Sequence, residues 1–197
     1  MNLPNKLSMF RVVLVPVLVI VYYLGSRAFG APNFIDYFLA PIFIIASITD
    51  FLDGYIARKY KMVTVFGKFI DPLADKLIVM AALLVLNDAG IIPIWITVVI
   101  LSREFIVTGI RLIAVGEGKV IAASNLGKYK TASTMVALVL LLAIPYVTNV
   151  YASASSFSFL EGYTLVGMII LYVGLALTII SGLDYFIKNK TIITESI

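Results

Sequence analysis

The chain has 197 residues, 61% of them hydrophobic and only 13% charged, with a mean hydropathy of +1.06. A soluble domain holds about 45–50% apolar and about 25% charged residues, so this composition belongs in a bilayer, and the length suits one domain over residues 1–197. Cysteine and histidine are both absent, which excludes disulfides, thiolate zinc sites and His-based bases or triads and leaves chemistry to carboxylates, Lys, Arg, hydroxyls or backbone. The net charge is +4. In such a chain the placement of the basic residues says more than their sum, and no nucleic-acid partner is expected.

Residues 1–11 form a short polar lead containing Pro4, and the apolar run behind it has no small-residue cleavage site before Gly25. A spanning helix needs about 20 mostly apolar residues. Six stretches qualify: residues 7–24, 34–58, 72–86, 91–115, 131–147 and 162–187. Breakers separate them: Gly25-Ser26, Gly30-Ala31-Pro32-Asn33, Asn87-Asp88-Ala89-Gly90, Gly116-Glu117-Gly118 and a Ser-rich run at 153–158. An even number of spans puts both termini on one side. That side then collects Lys6, Arg11, Arg58, Lys59, Lys61, Lys68, Lys119, Lys128, Lys130, Lys188 and Lys190, while the opposite loops hold only Arg27. The basic side is expected to be cytoplasmic. Tyr22, Tyr23, Trp95 and Tyr146 read as interface or packing aromatics. Gly167, Gly174 and Gly182 read as a close-packing face on the last span.

The second span does not end as a plain apolar helix. It carries Asp50 and Asp53, and Asp71 and Asp75 follow at the start of the third. Spacings of three and four put each pair on one helix face. Gly54 and Ala57 share the face of the first pair, where small residues allow close approach. The short connection makes the two spans an antiparallel hairpin, so their carboxylates can face each other. Four carboxylates in a partly dry site cannot all stay ionised without a positive partner. An all-oxygen set suits Mg, Mn or Ca rather than Zn or Cu, and four carboxylates can hold two such ions, the arrangement that clamps attacking and leaving oxygens in a phosphoryl displacement. Simpler roles exist: Asp71 before Pro72 has the form of an N-cap and first helical residue, and Asp50 and Asp53 could pair with Arg58, Lys59 or Lys61. Four such groups on two facing helices outweigh those roles, because ionisable residues inside membranes are costly and mostly functional.

At these residues the sequence resembles the CDP-alcohol phosphotransferases. Their signature, D-x-x-D-G-x-x-A-R, eight residues, then G-x-x-x-D-x-x-x-D, is filled without a gap by Asp50, Asp53, Gly54, Ala57, Arg58, Gly67, Asp71 and Asp75. The six-span plan agrees, so the likeness covers nearly the whole chain. It implies an all-α membrane fold of six transmembrane helices and a homodimer. It also implies two divalent ions, Mg2+ or Mn2+, held by Asp50, Asp53, Asp71 and Asp75, with Asp75 as general base. Asp53, Gly54, Ala57, Arg58 and Gly67 are expected around the cytidine and pyrophosphate of a CDP-linked lipid, where Arg58 can bind phosphate oxygens bidentately.

Three further stretches resemble the branch of that family whose acceptor is sn-glycerol 3-phosphate: Asn2-Leu3-Pro4-Asn5-Lys6-Leu7-Ser8 with Arg11, Ser102-Arg103-Glu104-Phe105 with Arg111, and residues 121–131. The implied reaction joins the phosphatidyl group of CDP-diacylglycerol to that acceptor and releases CMP, at the cytoplasmic face of a bacterial cell membrane. The acceptor is a dianion. Arg103, well inside the fourth span, with Arg111, Lys128 and Lys130 nearer its cytoplasmic side, make a phosphate pocket beside the aspartates. The simpler roles are pairing of Arg103 with Glu104 or an aspartate, and topology-setting charge for the others. Lys59, Lys61, Lys188 and Lys190 suit headgroups or orientation.

Two rival readings differ in acceptor or in class. Phosphatidylglycerol, serine, inositol phosphate or a sugar alcohol could replace glycerol 3-phosphate, although an acceptor without phosphate leaves the basic cluster without a ligand. A divalent-cation transporter would need carboxylates along the whole path, and the outer half offers only Asp36, Asp88 and Glu161. A catalytically silent scaffold fits poorly with four intact aspartates.

Overall fold

The computed structural model describes residues 2–28, 33–60, 65–116, 125–151 and 157–189. Its main elements are α1 (Leu3–Tyr22), α2 (Leu39–Lys59), α3 (Val65–Asp88), α4 (Ile94–Gly116), α5 (Asn125–Leu142), α6 (Ile144–Tyr151) and α7 (Phe157–Lys188). A π-turn at Tyr23–Arg27 closes α1 and a 3-10 turn at Phe34–Phe38 leads into α2. No strand occurs among the described residues.

Among the described residues three helical stretches are long and apolar enough to cross a membrane: Leu3–Gly25, Phe34–Ile56 and Phe159–Lys188. A fourth results if Leu126–Leu142 and Ile144–Val150, bent by 42°, count as one. α3 and α4 have 24 and 23 residues, enough for a core about 30 Å thick, but they carry Asp71, Asp75 and Lys76, and Arg103, Glu104 and Arg111, within their lengths. Among the described residues length and composition therefore give three to four spans, and the exact count of six is not confirmed by them. The bend has a sequence cause: Pro145 lacks the N–H that would continue the α5 ladder.

The apolar pattern packs as its period requires. α3 buries Ile78, Ala81, Ala82, Val85 and Leu86, and α1 buries Leu14, Leu18 and Tyr22, against Phe43 and Ala46 of α2. α5 lies along α7 through Ala137, Leu138 and Leu141 facing Leu171 and Leu175. The glycine face of α7 makes this possible. A Cβ on Gly167 would stand 2.8 Å from Leu141 Cδ2, one on Gly174 3.0 Å from Thr134 Oγ1, and one on Gly182 3.0 Å from Arg103 Cγ. Small residues are what let membrane helices approach this closely. Outward-facing Ile44, Ile45, Ile48, Phe51, Leu165 and Ile169 are exposed, as expected of residues facing hydrocarbon.

One end of the bundle is closed by polar bonds. Tyr22 donates to Asp88 Oδ2 at 2.8 Å, joining the ends of α1 and α3. α3 stops at Gly90, whose φ of +73° lets Ile91 N–H reach the Leu86 carbonyl at 2.9 Å and Gly90 N–H the Asn87 carbonyl at 3.0 Å, a glycine-dependent helix stop. Asn33 and Asp36 form a capping box ahead of α2. The opposite end gathers the starts of α1, α3 and α5 and the finishes of α2, α4 and α7, and the signature aspartates lie there. α3 begins at Val65, so Pro72 sits inside the helix and Asp71 is not its N-cap.

Candidate active site

The first aspartate pair is organised by a residue from α1. Arg11 is completely buried, and its Nη1 lies 2.8 Å from Asp50 Oδ1. Its Nη2 hydrogen-bonds Asp53 Oδ2. The Asp53 side chain is only 4% exposed, whereas that of Asp50 is 42% exposed. Ser8 Oγ stands 3.1 Å from the Pro4 carbonyl and 3.4 Å from Asp53 Oδ2, sharing its one hydrogen between them. A buried guanidinium flanked by two carboxylates is the arrangement in which its fork geometry counts most. These aspartates therefore pair with Arg11, not with Lys59, which instead lies 5.6 Å from the Tyr55 ring centre and 5.7 Å from that of Tyr60. Arg58 and Lys61 lie outside the described side chains.

Asp75 follows on α3, partly buried, within electrostatic reach of Asp50, Arg11, Glu104 and Lys130. It lines a cavity of about 80 Å³ between α3, α4 and α5. That is room for a polyatomic group, since one water occupies about 30 Å³ in the liquid. Its wall is mostly apolar, with Met80, Ile100 and Met135 among the lining residues, and Asp75, Lys76, Glu104 and Lys130 are its charged members beside Thr131 and Thr134.

The second charged cluster is centred on Glu104. Its Oε1 accepts from Lys130 Nζ and, at 3.2 Å, from Arg103 Nη1. Arg103 also donates to Ser181 Oγ of α7 at 2.8 Å, in the space left by Gly182. Arg103 is not on the cavity wall; it reaches the wall through Glu104. Lys76 Nζ hydrogen-bonds Thr108 Oγ1, and Thr108 donates at 2.7 Å to the Glu104 carbonyl.

The expected site residues thus divide. Asp50, Asp53 and Asp75 are brought to one end of the bundle, and Arg103 and Lys130 meet at Glu104. Arg111 and Lys128 are exposed, although Arg111 acts electrostatically on Lys76. Gly67 is buried and Gly54 half-buried. Ala57, Arg58 and Asp71 lie on α2 and α3, with side chains outside those described. Among the described residues no three acidic side chains stand close enough to hold a metal ion. Their donor chemistry nevertheless fits a hard divalent ion, since Asp50 and Asp75 offer only oxygen.

Sequence reasoning placed Ser8 and Arg11 in a stretch that resembles the glycerol-phosphate branch and counted Arg11 among the orientation charges, but gave neither a place in the site, and it passed over Lys76. The signal for Arg11 was present: a cation within a run otherwise apolar to Tyr23 needs a partner. Lys76, next to Asp75, carried the same signal.

A helical membrane protein with ordered carboxylates at one end and a charged cavity beside them is the class that fold and site define. The profile of the CDP-alcohol phosphatidyltransferase family matches residues 1–180. The CDP-diacylglycerol–glycerol-3-phosphate 3-phosphatidyltransferase of Bacillus subtilis (strain 168) is 43% identical over 194 residues, 95% of each chain. The protein of that name from Rickettsia bellii is 40% identical over 191 residues, 94% of this chain and 93% of its own. That from Haemophilus influenzae is 37% identical over 201 residues, 100% and 97% respectively. The chain belongs to the CDP-alcohol phosphatidyltransferase family, as its signature residues implied, and is a multi-pass membrane protein.

Proposed function

We propose that the chain transfers the phosphatidyl group of CDP-diacylglycerol to sn-glycerol 3-phosphate, releasing CMP. The observation that carries this reading is the meeting, at one cavity, of Asp75 with the cations Lys76 and Lys130, a base and an anion grip on adjacent walls. The shared name of the relatives supports the same acceptor.

The acceptor's primary hydroxyl attacks the phosphorus bonded to diacylglycerol. An oxygen–phosphorus bond forms, the bond from that phosphorus to the CMP oxygen breaks, and CMP departs with the electron pair. Asp75 accepts the hydroxyl proton. Asp53, Gly54, Ala57, Arg58 and Gly67 hold the cytidine and pyrophosphate, with Arg58 on phosphate oxygens. Arg103, Arg111, Lys128 and Lys130 form the acceptor side, Lys130 at the wall and Arg103 behind Glu104. Asp50, Asp53, Asp71 and Asp75 would hold two divalent ions, Mg2+ or Mn2+, which when bound stabilise negative charge on the pyrophosphate. Arg11 keeps Asp50 and Asp53 on one face.

The basic end of the bundle faces the cytoplasm in this reading, so both termini and the site meet soluble acceptor there, and the working unit is a homodimer. Purified protein in detergent, given CDP-diacylglycerol and a panel of acceptors, tests the assignment. CMP should be released fastest with glycerol 3-phosphate. Faster release with phosphatidylglycerol, serine or inositol phosphate would reassign the acceptor.

A further inference from the structure

We infer that Lys76, the residue after Asp75, is a substrate-binding residue that grips the acceptor's phosphate together with Lys130. This rests on the phosphorylated-acceptor reading above. Lys76 and Lys130 line the same cavity from α3 and α5, with Glu104 of α4 also on the wall. An ammonium carries three N–H donors. Lys76 gives one to Thr108 and Lys130 gives one to Glu104, so each keeps two donors without a partner among the described residues. A tetrahedral oxyanion is the ligand that can take several donors from two directions at once.

The anchors fix where these ammonium groups sit. Thr108 is itself held by the Glu104 carbonyl at 2.7 Å, and Glu104 is held by Arg103, which Ser181 positions at 2.8 Å. The backbone and side chain of Glu104 therefore set both lysines. The charge balance agrees. Lys76 lies in the field of Glu104, Asp75, Arg111 and Lys130, and with Arg103 behind Glu104 four cations face two carboxylates, the surplus a phosphate dianion would neutralise. The cavity volume, about 80 Å³, admits a phosphate-sized group beside Asp75.

The test titrates both substrates against Lys76→Met, Lys76→Arg, Thr108→Val and Lys130→Met in nanodiscs, with inorganic phosphate as competing anion. A charge-assisted hydrogen bond is worth enough for about a tenfold effect or more. Lys76→Met should raise the acceptor KM and the phosphate inhibition constant together by about that factor, with the CDP-lipid KM within about twofold. Lys76→Arg should recover part of the loss, and Thr108→Val, which frees the amine from its anchor, should raise the acceptor KM several-fold. If Lys130→Met raises the acceptor KM while Lys76→Met and Thr108→Val leave it unchanged, the pocket stands and Lys76 has no part in it. If none of the variants moves the acceptor KM, the acceptor pocket itself is misplaced and the inference falls with it. Should Lys76→Met fail to accumulate, Thr108→Val decides alone: an unchanged acceptor KM overturns the assignment.

Discussion

Two charged clusters in this protein are built as opposites. At α1–α2 one buried cation, Arg11, stands between two carboxylates, Asp50 and Asp53. At α4–α5–α7 one carboxylate, Glu104, stands between two cations, Arg103 and Lys130. The first is left with surplus negative charge and suits cations; the second is left with surplus positive charge and suits an anion. Asp75 feels both, since Asp50, Arg11, Glu104 and Lys130 all act on it. In the proposed reading, the difference separates the donor and acceptor halves of one reaction by the sign of the surplus charge. A central counter-ion, buried in the first and half-buried in the second, joins the members of each.

The comparison breaks most completely if the carboxylate side works without cations other than Arg11. Rigorous chelation should abolish CMP release, and Mg2+ or Mn2+ should restore it, because in the proposed reading the aspartates repel the pyrophosphate unless divalent cations stand between them. Full activity after removal of divalent ions contradicts the two-ion reading.

Next in size is the loss of a counter-ion. Arg11→Met takes a buried cation from Asp53, and breaking a buried pair this way costs about 3–5 kcal/mol. Thermal unfolding in detergent should show a marked drop, smaller for Arg11→Lys, which keeps charge but loses the fork. A wild-type melting temperature for Arg11→Met would show that Asp53 finds its charge balance elsewhere.

Asp75→Asn keeps shape and removes the base. Turnover should fall by about 10²-fold or more while CDP-lipid affinity is largely kept, as measured by CMP release and substrate titration. Near-normal turnover would move the base to another signature aspartate.

The smallest effect belongs to Arg103. Arg103→Gln should raise the acceptor KM with little change for the CDP-lipid. The rise should be below that of Lys130→Met, because Arg103 reaches the cavity only through Glu104. An equal or larger rise would place Arg103 on the phosphate directly.

How much of this was legible follows from where the information sits. Composition and apolar period gave the helices, and the Asp and Gly spacing gave the family and the carboxylate end, because those signals are local. The α3 start was misplaced because Asp71-Pro72 has the form of a helix start, yet the helix begins at Val65 and runs through the proline. The bend before α6 was missed because the apolar run continues across Pro145. The pairing of Arg11 with Asp50 and Asp53 spans about forty residues of sequence, and no spacing rule reaches that far. The same holds for Lys130 with Glu104, which meet only because α5 packs beside α4. Glu104 is adjacent to Arg103 in sequence and does pair with it, but its second role toward Lys130 needed the fold.

The division of labour between the clusters is tested most directly by one two-substrate titration, comparing Asp50→Asn with Lys130→Met in nanodiscs after checking that both fold as the parent does. Asp50→Asn should lower turnover and weaken use of CDP-diacylglycerol and divalent ion with the acceptor KM little changed. Lys130→Met should raise the glycerol 3-phosphate KM by about tenfold or more and leave the CDP-lipid KM near its original value. If Lys130→Met instead weakened the CDP-lipid and left the acceptor KM unchanged, the positive cluster would belong to the donor and the account would be wrong.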